Sequence, residues 1–535
     1  MRRWNGWGDE ANEFPLKPGG LAFIRARLGE ARALPDAPLA TVLARVPPSR
    51  LPPHPLVSTS PEDRVRHARG QSLPDWLAMR SGEFGVFPDG VACPQTTAQV
   101  RELLDFCLAQ GIEVIPYGGG TSVAGHITPV QTARPVLTLS LEKMDRLLAL
   151  DRESQLATFG AGTPGPSLEA QLAREGYTLG HFPQSFELST VGGWVASRSS
   201  GQQSLRYGRI EQLFAGGTVE TPRGTLQIPT FPASSAGPDL REMVLGSEGR
   251  FGVLTEVKVR VTPLPQQEQF FVGFLPDWQA AVDCVRAMAQ AKLQLSMLRL
   301  SNAVETQTQL VLAGHPTLVG LLERYLRVRG IADGKCMVTF GVTGSKAQCR
   351  AALAQANAMI GAHGGVNTGT PLGKKWEHAR FRSPYLRHGL WEHGYAVDTL
   401  ETAADWKNVP ALVAAIEQSL RDAAAGFGEK IHVFTHLSHL YPQGSSIYTS
   451  YVFRCAASYD ETHARWAAMK KAASETIVKF RSTISHQHGV GRDHAPYLAA
   501  EKGAVGMAAL HALATHFDPQ GLMNPGVLLP AEEKS

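Results

Sequence analysis

From residue 96 the chain alternates apolar stripes with short apolar runs. Val100, Leu103, Leu104, Cys107 and Leu108 recur at helical spacing, with Thr96 or Thr97 placed to cap the helix and Gly111 to end it. "IEVIPY" reads as a short buried strand, "PVLTLSL" and "SQLATFGAG" as further strands, and "PSLEAQLARE" as a helix. Such short alternating units predict an α/β region. In "GVLTEVKVRVTPLP", Val253, Thr255, Val257, Val259 and Val261 share one parity and Glu256, Lys258 and Arg260 the other. This period of two predicts a half-exposed strand, and the prolines after it mark a boundary near residue 265. A second region, about 266 to 480, mixes helices such as "WQAAVDCVRAMAQA" with strands such as "SSIYTSYVFR", and the last fifty residues return to helix and turn. Residues 1 to about 90 are rich in Pro and Arg, and "ARVPPSRLPPHP" predicts an extended, partly helical arm outside any core.

Length and composition narrow this picture only a little. A chain of 535 residues is expected to divide into two or three domains, and 43% hydrophobic with 19% charged residues is ordinary for a soluble protein. A formal charge of +4 is a mild basic bias, with no Lys/Arg block pointing to nucleic acid. The six cysteines are scattered without a CxxC pair, as in reduced core thiols of a cytoplasmic protein. The start "MRRWNGWGDEANEF" lacks an apolar stretch, and "AEEKS" matches neither a lipidation box nor a peroxisomal address. A cytoplasmic protein with at most peripheral membrane contact is expected.

The first chemical signal is glycine. "PYGGGTSVAGH" (116 to 126) follows a strand but ends in no Gly-Lys-Ser/Thr and does not give GxGxxG. Successive glycines still allow backbone N–H groups to converge on an anion, with Thr121 and Ser122 adding hydroxyls. Alone this is equally well a tight structural turn. "PQSFELSTVGGWVASRSSG" (183 to 201) and "GPDLREMVLGSEGRFGVLTEV" (237 to 257) add two more glycine and hydroxyl loops to the same domain. An extended dinucleotide would use several such approaches.

These segments resemble the FAD-binding domain of the vanillyl-alcohol-oxidase flavoproteins. With "STVGGWV", "GSEGRFGV" and "RWNGWG", the resemblance is to the alkyldihydroxyacetonephosphate synthase branch of that family and runs from Trp4 to about Leu529. It implies an α+β fold with a two-lobed PCMH-type FAD-binding domain, an α/β substrate cap and a helical N-terminal arm. The corresponding spans are 1–90 (arm), 91–265 (FAD domain), 266–480 (cap) and 481–535, a C-terminal segment completing the active site and the FAD lobe. The matched positions imply FAD binding by Pro116, Tyr117, Gly118, Gly119, Gly120, Thr121 and Ser122 in the first loop. In the second loop they are Ser185, Glu187, Ser189 and Thr190, followed by Ser197, Arg198, Ser199 and Ser200. In the third they are Glu248, Gly249, Arg250, Phe251, Gly252, Val253 and Leu254. FAD is expected to be noncovalent; a covalent link would fall to His126 or His181.

The resemblance also assigns chemistry. Tyr448, in "SSIYTSYVF", matches an essential tyrosine able to relay a proton if neighbours lower its pKa; from the residues alone, packing among alternating aromatics is the better reading. Arg299 and Arg387 match substrate-associated positions, and a guanidinium suits a phosphate ester. Arg299 sits in an apolar stretch that calls for a buried partner, whereas Arg387 reads on its own as a surface ion pair. "ISHQHGVG" aligns with three consecutive histidines of the synthases, so His486 and His488 are kept and Gln487 replaces the middle one. A glutamine orients and hydrogen-bonds but carries no proton near neutrality. His486, Gln487 and His488 are therefore taken with Tyr448 as the catalytic set.

A metal site is the less favoured reading. His432, His436 and His439 cluster in sequence, but His436 and His439 would face opposite sides of a strand. The implied reaction exchanges the acyl chain of acyl-dihydroxyacetone phosphate for a fatty alcohol in ether-lipid synthesis, without net redox change. The alternative, favoured by Gln487 and the "HLSH" element, is an FAD-dependent oxidase or dehydrogenase of a hydroxy acid or polyol phosphate. Expected partners are the lipid phosphate and the alcohol, no nucleic acid, and a homodimer is compatible.

Overall fold

The computed structural model describes residues 2–530, in a mixed α+β arrangement. Two small sheets build the first half. In one, Val57–Ser58, Gly90–Ala92, Val136–Ser140 and Glu113–Tyr117 lie in that spatial order, the first pair antiparallel and the other two parallel. In the other, five antiparallel strands run in the order Leu147–Asp151, Leu156–Gly160, Val253–Arg260, Phe214–Thr221, Gly224–Ile228. The period-two segment is thus a central strand; its Val and Thr positions are buried while Glu256, Lys258 and Arg260 stay partly exposed. The helix Thr97–Gln110 is capped by Thr96 Oγ1, which accepts from Gln99 N at 3.2 Å, and Gly111 ends it at φ +65°. Its stripe Val100, Leu103, Leu104 and Cys107 enters one core shared by both sheets.

The second half is built on a seven-stranded antiparallel sheet ordered Val366–Asn367, Gln267–Leu275, Cys336–Gly344, Met297–Ser301, His432–Leu437, Gly444–Arg454, Tyr395–Asp405. One large core fills its helix-covered side. Among the described residues no helix is long and apolar enough to cross a membrane, and all six cysteines are free.

The N-terminal 90 residues are helical as expected, but they do not lie outside a core. Val57–Ser58 is a strand of the first sheet, Val42, Val65, Met79 and Phe87 share a core of their own, and Trp76 is fully buried in the core of the cap. Prolines broke the periodicity that signals a core: those of "ARVPPSRLPPHP" lie in the connection between Leu39–Ala44 and Val57–Ser58, while Pro61 and Pro74 sit in the first turn of helices, where a missing N–H costs nothing. In "RWNGWG", Gly8 has φ +86° and lies where any Cβ would strike the Tyr385 ring, so this turn lies against the cap. The C-terminal segment returns to the first half: Met523 bridges Val114 and joins the FAD-side core, and Asn524 Nδ2 donates to the carbonyls of His126 (3.0 Å) and Glu248 (2.8 Å).

Candidate active site

The glycine loop leaves the strand Glu113–Tyr117 at the carboxyl end of a parallel pair, where α/β sheets bind ligands. A Cβ on Gly119 would fall on the Leu188 carbonyl, and one on Gly118 would lie 2.5 Å from Thr190 Oγ1, so the first and second loops are in contact. Among the described residues, the N–H groups of residues 118–122 have no protein acceptor. The buried hydroxyls of Ser140 and Ser200 have no partner either. Consecutive free amides plus unpaired hydroxyls fit the pyrophosphate and polar edges of FAD.

Most other side chains of these loops are spent on protein. Glu187 accepts from Tyr385 Oη (2.9 Å), Ser189 from Trp194 Nε1 (2.7 Å), and Thr190 caps Val191–Ser197. Ser197 donates to Gly193 O, Arg198 pairs with Glu242, and Arg250 donates to Met523 O. Glu248 accepts from Val490 N (2.5 Å) and Gly491 N (2.7 Å), tying the C-terminal turn to the third loop. Phe251, Val253 and Leu254 are core residues, and Gly249 abuts Pro116. What the loops offer a cofactor is mainly backbone. His126 lies between Ser122 (2.6 Å) and Glu248 (3.2 Å), and His181 bonds Ser199 (2.8 Å) against Trp194.

Across the seven-stranded sheet, Glu401 pairs with Tyr448, Tyr448 with His436, and His436 with Ser301. Directly opposed residues share a face, so this register lines up one polar row. The Tyr448 ring stacks on His436 (4.7 Å) and meets His488 edge-on (5.5 Å). The condition set for a relay, a phenol pKa lowered by neighbours, is not met: burial pushes Tyr448 up and the carboxylates of Glu401 and Asp398 add to that, against a hydrogen bond from Thr399 and the Arg299 charge. It is a proton donor, not a phenolate.

Glu401, absent from the sequence reading, is the hub. Its Oε1 takes His486 Nδ1 at 3.1 Å and Ser438 Oγ at 3.3 Å, with His439 Nδ1 at 3.7 Å. Its Oε2 has no hydrogen-bond partner and faces His488 Nε2 at 3.8 Å. Burial pushes this carboxyl up, but the histidines around it prevail and hold it well below the usual range. The far side of His486 fixes its tautomer. Arg209 Nη1 is 2.8 Å and Tyr441 Oη 2.7 Å from Nε2. A guanidinium only donates, so Nε2 is the bare nitrogen and Nδ1–H donates to Glu401. Burial likewise pushes His486 down to about 4 despite the carboxylate. Neither of its nitrogens is open to a substrate. Gln487 is half-exposed and makes no side-chain hydrogen bond.

The three histidines of "HVFTHLSH" part company because the strand stops at Leu437, which voids the alternation argument. His432 bonds Thr308, His436 turns to Glu305, and His439 joins Glu401 and His486 with ligand atoms within 4.8 Å of one another. A cation there would have to displace the His486 Nδ1 proton onto a nitrogen that faces Arg209, which opposes a metal.

Arg299 does have its buried partner: Nη2 lies 2.5 Å from Glu305 Oε1 and 3.1 Å from His436 Nδ1. Arg387 is not a surface ion pair. It lies over the Trp76 ring at 4.5 Å and donates to Gln71 O at 2.6 Å, while its Nε and Nη2 are buried without partners. Burial lowers it to about 10. Its acidic neighbour Asp398 projects from the sheet face opposite Glu401, so the two arginines share no partner. Beside His486 opens a cavity of about 760 Å³, lined by Arg209 and Tyr441 and by the apolar Leu245, Phe251, Leu510 and Leu513.

Residues 88–228 match the family described as "FAD binding domain" and residues 264–528 "FAD linked oxidases, C-terminal domain". The chain belongs to the FAD-linked oxidase flavoproteins. Its cofactor is FAD, which the free amides of the glycine loop fit. This flavoprotein is 28% identical to an alkyldihydroxyacetonephosphate synthase of Trypanosoma brucei brucei over 571 residues, covering 99% of the chain and 92% of that relative. It is also 28% identical over 456 residues to the FAD-linked oxidoreductase YgcU of Escherichia coli O157:H7, covering 83% of the chain and 90% of the relative. A solved structure of alkyldihydroxyacetonephosphate synthase superposes with a TM-score of 0.85 at 26% identity, covering 98% of both chains. Glu401, Arg209 and Tyr441 escaped the sequence reading because each is remote in sequence from the histidines it serves. The strand Tyr395–Asp405 carries Asp398 and Asp405 as well, so nothing local singled out Glu401.

Proposed function

We propose that this flavoprotein exchanges the acyl chain of acyl-dihydroxyacetone phosphate for a fatty alcohol. The observation that carries the reading is likeness to the synthases along the whole chain, including both domains and the N-terminal turn against the cap. FAD supplies ring chemistry that no side chain here provides. The chain's own residues bind and move protons. Arg387, with two unpartnered N–H positions, is suited to a phosphate, and the Nε of Arg299 is likewise buried and free. Tyr448 donates a proton to a substrate oxygen, and His488 exchanges one. The apolar part of the cavity lining suits an aliphatic chain. Noncovalent FAD follows from the likeness to the synthases; His126 and His181 each bond a serine through one ring nitrogen and keep the other without a hydrogen bond. A lipid substrate is also consistent with a cytoplasmic protein touching membranes peripherally.

Oxidation of a hydroxy acid or polyol phosphate is the second reading, favoured by Gln487 and by the likeness to YgcU. Anaerobic incubation of the purified yellow protein with acyl-dihydroxyacetone phosphate and labelled hexadecanol separates them. Label in an alkyl ether is the expected result. Flavin bleaching by a hydroxy acid without ether formation would establish the oxidoreductase instead.

A further inference from the structure

Gln487 stands where the synthases carry a histidine, and the tautomer of His486 leaves that ring no open nitrogen. The proton-carrying duty then falls on His488, and the structure contains a feature that fits it. The Oε2 of Glu401 is buried, and a buried carboxylate oxygen without a hydrogen bond is costly. Its other oxygen is already held by His486 and Ser438. The ionisable group within ion-pair range of Oε2 is His488 Nε2, at 3.8 Å. The opposite edge of that ring is not held: the His488 side chain keeps 15% of its exposure, and among the described residues no protein group hydrogen-bonds its Nδ1.

We propose that Glu401 is a positioning residue that holds His488 with Nε2–H toward Oε2, so that Nδ1 serves as the base for a substrate hydroxyl beside Tyr448. The proton leaves the hydroxyl oxygen for Nδ1, and the imidazolium formed is balanced by the Glu401 carboxylate. Only the identity of that hydroxyl, as the fatty alcohol's, rests on the ether-forming reading. Arg209 acts one step further back. By occupying His486 Nε2 it obliges His486 to give its single proton to Oε1, which keeps Oε2 for His488. The other charged or titratable groups around His488 are Lys470, Asp398, His126, His494 and Tyr448. Of these and Glu401, the carboxylate is the strongest influence raising its proton affinity against burial.

The test is ¹⁵N NMR of histidine-labelled holoprotein, with His488→Gln identifying the resonance and flavin absorbance confirming that FAD is retained. The wild type is expected to show opposite tautomers at two neighbouring rings: Nε2–H at His488 and Nδ1–H at His486. An Nδ1–H tautomer at His488 overturns the proposal without any variant. In Glu401→Gln the His488 titration is expected to fall by about one pH unit, with Glu401→Asp recovering part of the shift. An unchanged titration in Glu401→Gln overturns it equally. If the tautomers and the shift appear but no ether is made, the ether-forming reading falls and the Glu401–His488 pair stands. If ether is made and they do not, the reverse holds.

Discussion

Two buried glutamates serve the polar row around Tyr448 and are used differently: Glu401 stands opposite it in the sheet, and Glu305, on a helix, bonds His436, which stacks on the tyrosine. Glu305 is saturated: Arg299 and Gln309 (2.7 Å) hold Oε1 and His436 holds Oε2, while Asn302 fixes its backbone at the start of a helix. Glu401 has one oxygen crowded with donors and the other bare. A carboxylate with both oxygens engaged clamps its neighbours and can do little else. One with an oxygen in reserve can respond when a neighbouring ring gains a proton. Tyr448 stands directly opposite the responder and is linked to the clamp through His436.

The largest effect expected is at Tyr448 itself. Tyr448→Phe removes the donor but keeps the ring stack, so ether formation should drop by about 10²–10⁴-fold while the melting temperature holds. A loss of stability equal to the loss of activity would mean that Tyr448 is part of the clamp.

Next comes the clamp itself. Glu305→Gln leaves Arg299 without a counter-charge and should cost about 3–5 kcal/mol in denaturant unfolding, more than Glu401→Gln costs. The comparison sharpens with pH. Burial pushes Glu305 up, but His436 and Arg299 prevail and hold it down at about 2. A folded pKa below the unfolded one gives stability that is complete above the unfolded carboxyl's pKa, near 4.3, and is lost as pH falls toward 2. The stability gap between wild type and Glu305→Gln should therefore be full at pH 6 and nearly closed near pH 2. A gap independent of pH would remove the ion pair from the account. The smallest effect belongs to Gln487→His. A half-exposed side chain without partners should change the rate by no more than about twofold, so a large gain would show that the middle ring carries a proton after all.

Local features were legible in the sequence. The Thr96 cap, the alternation around Val257 and the glycine loops each lie within one short segment and obey local rules. The histidine pair was visible, but its meaning was not. What His486 does is decided by Arg209, 277 residues away, and by Glu401, 85 residues away. Arg387 misled because nearby acids suggested a surface pair, while the group that receives it is Trp76, more than three hundred positions earlier. The N-terminal 90 residues misled for a different reason: a proline-broken stretch masked a core that these residues build among themselves, with Leu73, Trp76 and Leu77 joining that of the cap.

The hydrogen bond from Asn524 to the His126 carbonyl spans 398 residues. The FAD half, though it is made early, lacks a core residue and the brace on its third glycine loop until Met523 and Asn524 arrive. Contacts of such separation are slow to form, because the loop they close is large and ordered late. Cofactor capture is therefore an event of the whole polypeptide, not of a nascent domain. An apoprotein that waits for its last segment is the state in which chaperone dependence and proteolytic loss would concentrate.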